Sequence, residues 1–367
     1  MNSRLSETQV ALALSKIPPP KQNRPSLTAG RLVYLLYHYP KGVLEDGFAW
    51  HYQRWQGRRA MGPAMANLRP AHRPPGSPVA IHYLTGKNYV PLTTLALASA
   101  ENHFGRPVDP VLYDDGTLDD RARSQFLRPF PQARCVGAAT IEACLAQTLP
   151  EDRFPVLRRL RLSYLHVRKL TDIGVCEPDY KLVSDSDVFF FRPPAQLLAA
   201  VDGWRWFHMQ DCQQSYGYSE AVLTELAGTP LHPRVNVGLC GIDGKGIDWE
   251  FVEWMAARLL GEHGFSYYLE QAITAVLMTR HAAEPLKTPD YLVYPTAPQA
   301  ESQGHVALHY VDRSNLFIYC FGWRQVLDLR EERRALVGAE SPPTSAPESE
   351  DSPPRRTPPA TKGAAGS

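Results

Sequence analysis

Two carboxylates set two residues apart are the clearest chemical signal in this chain. In Lys181-Leu182-Val183-Ser184-Asp185-Ser186-Asp187-Val188-Phe189-Phe190 the acids Asp185 and Asp187 lie between two apolar runs. In an extended backbone residues i and i+2 project to the same side, so a strand ending here aims both carboxylates at one point. Converging acids suit a hard divalent cation, which takes oxygen ligands and can share them with a diphosphate. A pair of solvated acids at a strand end is the plainer alternative. The apolar flanks weigh against it, because uncompensated burial of charge is costly.

The pair must be carried by a buried strand at 181–183, and that strand belongs to a longer alternation. Val79-Ala80-Ile81-His82-Tyr83-Leu84-Thr85, ended by Gly86, reads as a first buried strand, with Asn88 capping a helix that runs to Phe104. Strands at 110–113 and 133–136 follow, each leading into a helix, 119–128 and 140–148. Apolar residues at 157, 160, 164, 167 and 170 predict one long amphipathic helix over 154–173. Beyond the acids come strands at 204–209 and 235–240, helices at 219–226, 248–260 and 269–279, and a last strand at 305–311. Ser314 is then placed to cap a terminal helix. The alternation predicts βαβ units in a doubly wound, mostly parallel α/β sheet. Such sheets bind ligands beyond the carboxyl ends of their strands, which is where the acid pair falls.

Composition bounds the rest. The 367 residues, 44% of them apolar, can bury a full core, and 39 Lys and Arg against 38 Asp and Glu leave no basic footprint for nucleic acid. One large domain is expected over 79–335. Residues 1–78, punctuated by proline, are expected to pack on it as an irregular extension with short helices. The aromatic run Phe48-Ala49-Trp50-His51-Tyr52 reads as docking onto the core, with a ligand groove as the alternative. Residues 336–367, almost wholly Pro, Ser, Glu, Thr, Gly and Ala from about residue 340, are expected to be a disordered tail. The six cysteines show no Cys-x-x-Cys pair and read as reduced, mostly buried thiols. No window is apolar enough to span a bilayer and no leader-like start is present, so a cytoplasmic location is expected.

Over roughly residues 79–325 the order of motifs resembles GT-A glycosyltransferases of the glycogenin-like and bacterial galactosyltransferase-like kind. The stretch Val183-Ser184-Asp185-Ser186-Asp187-Val188-Phe189-Phe190-Phe191-Arg192-Pro193-Pro194 resembles their Asp-x-Asp motif, Arg234-Val235-Asn236-Val237-Gly238-Leu239 their Asn-x-Gly strand, Glu270-Gln271 their acidic-Gln pair, and Leu308-His309-Tyr310 their final ligand strand. The resemblance implies transfer of a sugar from a nucleotide-sugar donor, a uridine diphosphate sugar, to an acceptor that stays unassigned. It implies Mn²⁺ or Mg²⁺ held by Asp185, Asp187 and His309, and places Asn236, Glu270 and Gln271 near the reacting sugars. Ser186, between the acids, and Lys169 or Arg168 on the preceding helix fall with the donor-binding groups. Thr85 and Gly86 occupy the position where the base is first held, with Tyr89 either stacking on it or lying in the core. Asp114 and Asp115 either touch the nucleoside or cap the next helix. The usual Gly and Lys-Pro-Trp after the last His are replaced here by Val311-Asp312-Arg313-Ser314-Asn315, so Arg313 stands in for the missing lysine.

Two rival readings use the same acids. In a phosphotransferase of the haloacid dehalogenase type, Asp185 would attack phosphate and Asp187 act as acid and base, with a metal motif supplied by Gly241-Ile242-Asp243-Gly244-Lys245-Gly246-Ile247-Asp248. A catalytically inactive GT-A module would keep the fold and bind without turnover.

Overall fold

The computed structural model describes residues 5–20, 37, 39–177 and 179–340. Of the disordered tail expected over 336–367, residues 336–340 end the helix Trp323–Glu340, and the rest lies outside the described residues. Among the described residues ten strands form two sheets. Strands β1 (Val79–Thr85), β2 (Val108–Asp114), β3 (Arg134–Val136), β4 (Tyr180–Ser184), β6 (Phe207–Gln210), β7 (Val235–Asp243) and β8 (Glu284–Leu286) make the larger, in the order β3-β2-β1-β4-β7-β6-β8. Strands β5 (Val188–Phe190), β9 (Tyr291–Val293) and β10 (Ala307–His309) make the smaller, in the order β5-β10-β9.

The alternation of strand and helix delivers the expected doubly wound sheet with one reversal. β1 pairs in parallel with β2 and β4, β2 with β3, and β6 with β8, whereas β7 runs antiparallel to both β4 and β6. β7 is therefore the one reversed strand of the seven. Both faces of the sheet are covered. Val111, Tyr113 and Val183 point into one buried cluster, and Leu112 and Leu182 into the other, as the two-residue period requires. That double burial is why these strands read as apolar runs.

Several boundaries differ from the sequence reading. The single helix expected over 154–173 is two, Pro155–Ser163 and Val167–Val175. Tyr164 takes an extended backbone between them (φ −130°, ψ 100°), its ring packs against Phe265, and its hydroxyl donates to the Tyr267 carbonyl. Tertiary packing thus overrides a periodicity that runs unbroken through 164 and 167. The helix expected to be capped by Asn88 starts at Val90, with Pro91 in its first turn where no N–H is needed. Ser314 caps no helix; its hydroxyl donates to the Val311 carbonyl within a short 3₁₀ turn, Asp312–Asn315, and the terminal helix begins at Trp323. The expected strand at 305–311 is confined to Ala307–His309. All six cysteines are free, with Cys176, Cys240 and Cys320 buried and Cys212 exposed.

The N-terminal segment contributes to the core. Ala13 and Ile17, in and just after the helix Glu7–Lys16, join one buried cluster, and Met61 and Leu68 join the other. The helix Phe48–Ala66 spans 19 residues, longer than the short helices expected there. Trp50 packs edge-on against Phe317 and Phe321, so part of the aromatic run docks as its composition suggested.

Candidate active site

Asp185 and Asp187 sit at the junction of the two sheets. The Asp185 N–H donates to the Gly238 carbonyl (2.7 Å), continuing the β4–β7 ladder, and the Asp187 carbonyl accepts from the Tyr310 N–H (2.9 Å) beside β10. Pairing of β5 with β10 brings His309 opposite Val188. One ligand atom from each of Asp185, Asp187 and His309 then lies within 4.8 Å of the others.

The orientation of His309 follows from its neighbours. The Gly238 N–H donates to Asn236 Oδ1 (2.9 Å), so that oxygen is an acceptor, and His309 Nδ1, 2.9 Å from the same atom, must donate its proton to it. Nε2 is left with its lone pair facing Asp187 Oδ1 at 3.3 Å and Asp185 Oδ2 at 3.8 Å. A lone pair that close to a carboxylate oxygen is repulsive unless a proton or cation lies between. Burial alone would depress the imidazole pKa, but the charge and hydrogen bond of Asp187, with the charge of Asp185, outweigh it and hold the pKa above its ordinary value. The Asn-x-Gly spacing has a steric meaning too. A Cβ at Gly238 would lie 2.1 Å from the His309 ring, so only glycine admits the imidazole here.

Lys169 reaches the site and Arg168 does not. The Lys169 ammonium donates to both oxygens of Asp185 (2.9 and 3.1 Å) and to the Val237 carbonyl (3.0 Å). Burial works against its charge, yet the pull of Asp185, then of Glu270, raises its pKa above the usual lysine value. Arg168 instead donates to the carbonyls of Arg161 and Asp115. The break at Tyr164 separates the helix that carries Lys169 from the one before it.

A cavity of about 560 Å³ opens beside the trio, lined by Asn236, Glu270, Gln271, Asp211 and several aromatic residues. The Glu270 carboxyl is pushed up to about 7, chiefly by burial, with Lys169 opposing the shift. Gln271 Nε2 donates to the Val235 carbonyl (3.0 Å) and to Asp211 Oδ2 (3.3 Å), which also accepts from Asn236 Nδ2 (3.0 Å). Asp211 is thus a hub that the sequence reading passed over. Its signal was a single acid directly after the strand Phe207–Gln210, too common a pattern to single out. The lining residues Tyr164, His166, Tyr267, Tyr268 and Tyr294 were missed for the same reason.

A second cavity of about 230 Å³ shares Lys169, Asp185 and Asp187 and extends past Ser186 and Asp115 to Leu84, Tyr89, Leu92 and Leu165. Thr85 lies beneath it, buried, in a hydroxyl chain from Thr85 to Thr93 to Ser186 with links of 2.8 and 2.7 Å. Gly86 opens the turn after β1, its carbonyl accepting from the Tyr89 N–H. The Asp114 carboxylate accepts from the N–H groups of Gly116 and Leu118, and Asp115 from Thr117, so both shape the loop after β2. Arg313 ion-pairs with Glu45. Thr85, Gly86, Asp114 and Arg313 line neither cavity.

No protein-family model matches the sequence, and no curated protein matches it. Among solved structures the chain is similar to the galactosyltransferase LgtC in complex with donor and acceptor sugar analogs, at 13% identity and a TM-score of 0.44 over 69% of this chain and 96% of that one. It is similar to mouse xyloside xylosyltransferase 1 at 10% identity and a TM-score of 0.45, over 64% and 98% of the two chains. It is also similar to the glycosyltransferase GlyE of Streptococcus pneumoniae at 13% identity and a TM-score of 0.44, over 71% and 64%. No helix among the described residues is long and apolar enough to cross a membrane.

Proposed function

We propose that this chain is a metal-dependent GT-A type glycosyltransferase that moves a sugar from a nucleoside diphosphate donor, a uridine diphosphate sugar, to an acceptor bound in the larger cavity. The observation that carries the reading is the convergence of Asp185, Asp187 and His309 on one point between two cavities. Two carboxylate oxygens and one imidazole nitrogen suit Mn²⁺ better than Mg²⁺, and the lone pair that Asn236 directs at the acids fits a cation between them. These three residues would hold the ion, which when bound supplies positive charge against the diphosphate as the glycosidic bond breaks. Asn236 sets the tautomer of His309, and the two hydrogen bonds from Lys169 hold Asp185 turned toward the site. The largely apolar wall of Leu84, Leu92 and Leu165, with Tyr89, suits a nucleoside base. Asp211, Glu270 and Gln271 supply acceptor and donor groups for sugar hydroxyls in the larger cavity.

The haloacid dehalogenase reading loses Asp243 as a metal acid, and Asp248 caps the helix Trp249–His263. The reversed β7 pairs Asp243 with Tyr180, the first residue of β4, while Asp185 follows the last. Asp243 and Asp185 are therefore about 16 Å apart at the rise of a strand. The test of the transferase reading is a screen of nucleotide sugars for Mn²⁺-dependent hydrolysis, with melting measured in uridine diphosphate and Mn²⁺ together and singly. Stabilisation by the pair alone supports it. No hydrolysis of any donor, with no stabilisation by any nucleoside diphosphate plus Mn²⁺, would sink it.

A further inference from the structure

The helix Phe48–Ala66 carries two stripes, and the fold uses one of them. Trp50, Arg54, Gly57 and Met61, spaced 4, 3 and 4 apart, face the protein. Trp50 meets Phe317 and Phe321 at 5.5 and 5.8 Å, the Arg54 guanidinium lies 5.7 Å from the Tyr319 ring, and Met61 is buried. Gly57 approaches so closely that a Cβ would sit 1.9 Å from the Tyr319 carbonyl oxygen. Phe48, Tyr52, Trp55 and Arg59 repeat the same spacing two residues earlier, and two residues turn a helix by about 200°. They occupy the opposite face, in water, with Phe48 75%, Tyr52 49% and Trp55 53% exposed.

The rings of this outer stripe stack on one another. The rings of Phe48 and Tyr52 are nearly parallel (13°, centroids 6.5 Å apart), as are those of Tyr52 and Trp55 (23°, 6.0 Å), and the Arg59 guanidinium lies 4.9 Å over Trp55. Leu44, just before the helix, is 84% exposed. A row of large apolar side chains held in water marks a surface that meets something apolar. Charge names the partner. The helix Phe48–Ala66 carries Arg54, Arg58 and Arg59 and no Asp or Glu, with Arg59 on the stripe itself, in a chain whose net charge is only +1.

We propose that this face is an interfacial anchor that lies flat on a lipid surface bearing anionic headgroups. The rings of Tyr52 and Trp55, each with one polar edge, would sit at the boundary between headgroups and acyl chains, Phe48 would enter the apolar side of it, and Arg59 would meet the phosphates. The attachment is coupled in space to the candidate site. Glu45, in the preceding helix Tyr39–Asp46, pairs with Arg313, and the neighbouring Asp312 lines the larger cavity. The inference stands apart from the transferase reading, and its test does not use activity.

The full chain is sedimented with vesicles of phosphatidylcholine alone and of phosphatidylcholine with phosphatidylglycerol in equal parts. Wild type is expected to sediment with the anionic vesicles only, less so as salt rises. The triple variant Phe48→Ser, Tyr52→Ser, Trp55→Ser, with melting unchanged because the lost rings are exposed, is expected to lower the partition coefficient by about tenfold or more. Arg59→Glu keeps the aromatic row and should weaken binding to anionic vesicles about fivefold or more, so the test survives misfolding of the triple variant. Failure of wild type to sediment with anionic vesicles, or equal binding by wild type and both variants, overturns the proposal. So does a wild-type dimer that the triple variant converts to monomer without any binding to lipid, since a second copy would then cover the stripe.

Discussion

Replacing Gly238 by alanine tests the candidate site through a residue that has no side chain of its own. The new methyl carbon would lie 2.1 Å from Cε1, 2.3 Å from Nδ1 and 2.8 Å from Nε2 of His309, where ordinary contact begins at 3.4 Å. The ring must withdraw by about 1.3 Å, the difference between 3.4 and 2.1 Å. A retreat of that size breaks the 2.9 Å bond to Asn236 and carries Nε2 off the acids. Loss of an outer partner of a metal-ligating histidine costs about 10–100-fold in metal affinity. Overpacking a filled site adds a stability cost of about 1–3 kcal/mol. Gly241→Ala on the same strand is the control, because its methyl meets Tyr180 Oη at 2.1 Å and Phe207 at 2.4 Å, away from the acids. Both variants should melt earlier, and Gly238→Ala alone should raise the Mn²⁺ concentration needed for half-maximal stabilisation in the presence of uridine diphosphate. A half-saturating concentration equal to wild type in Gly238→Ala, or equal shifts in both variants, refutes the reasoning.

Asp187→Ala should abolish Mn²⁺-dependent donor hydrolysis while leaving melting nearly unchanged, since it removes a ligand and relieves charge repulsion in the empty site. Lys169→Met should destabilise the fold by about 1–3 kcal/mol, seen in urea titration, because it strips partners from Asp185 and from the Val237 carbonyl. Mn²⁺ affinity should weaken as pH drops, beginning above 6.5, because the acids hold the His309 imidazole above that value and the ligand must be neutral. A flat profile through that range would remove His309 from the ligand set. Burial raises the Glu253 carboxyl to about 7 from 4.5, opposed by the N–H groups of Leu157 and Val156. The native state therefore binds that proton more tightly than the unfolded chain, and stability falls as pH rises from about 4.5 to about 7, by on the order of 3 kcal/mol. Denaturation near pH 5 and near pH 8 should show this slope reduced in Glu253→Gln.

The acid pair was legible because the two-residue period of a strand leaves little choice about where Asp185 and Asp187 point. His309 and Asn236 could be marked as candidates by their motifs. The reason they belong together, an amide that fixes an imidazole tautomer across 73 residues of sequence, depends on the pairing of β10 with β5. The reversal of β7 left no trace, since a strand buried on both faces reads the same in either direction. Helical spacing hid the break at Tyr164, which is imposed by Phe265 and Tyr267 from a distant loop. The role suggested for Arg313 rested on its place after His309, and its pairing with Glu45, 268 residues away, is a contact that no local pattern announces.

The passage from the larger sheet to the smaller takes three residues, Asp185, Ser186 and Asp187, the first hydrogen-bonded into one sheet and the last into the other. The short span makes this a mechanical joint as well as the place of two candidate metal ligands. Cooperative opening units often follow sheets, and the three short strands β5, β9 and β10 form a natural one. A cation gripped by Asp185 on one side of the joint and His309 on the other would clamp that unit shut. Amide hydrogen exchange in β10, whose Leu308 and His309 pair with Phe189 and Val188, should then slow on addition of Mn²⁺, while exchange in β2, far along the larger sheet, stays as it was.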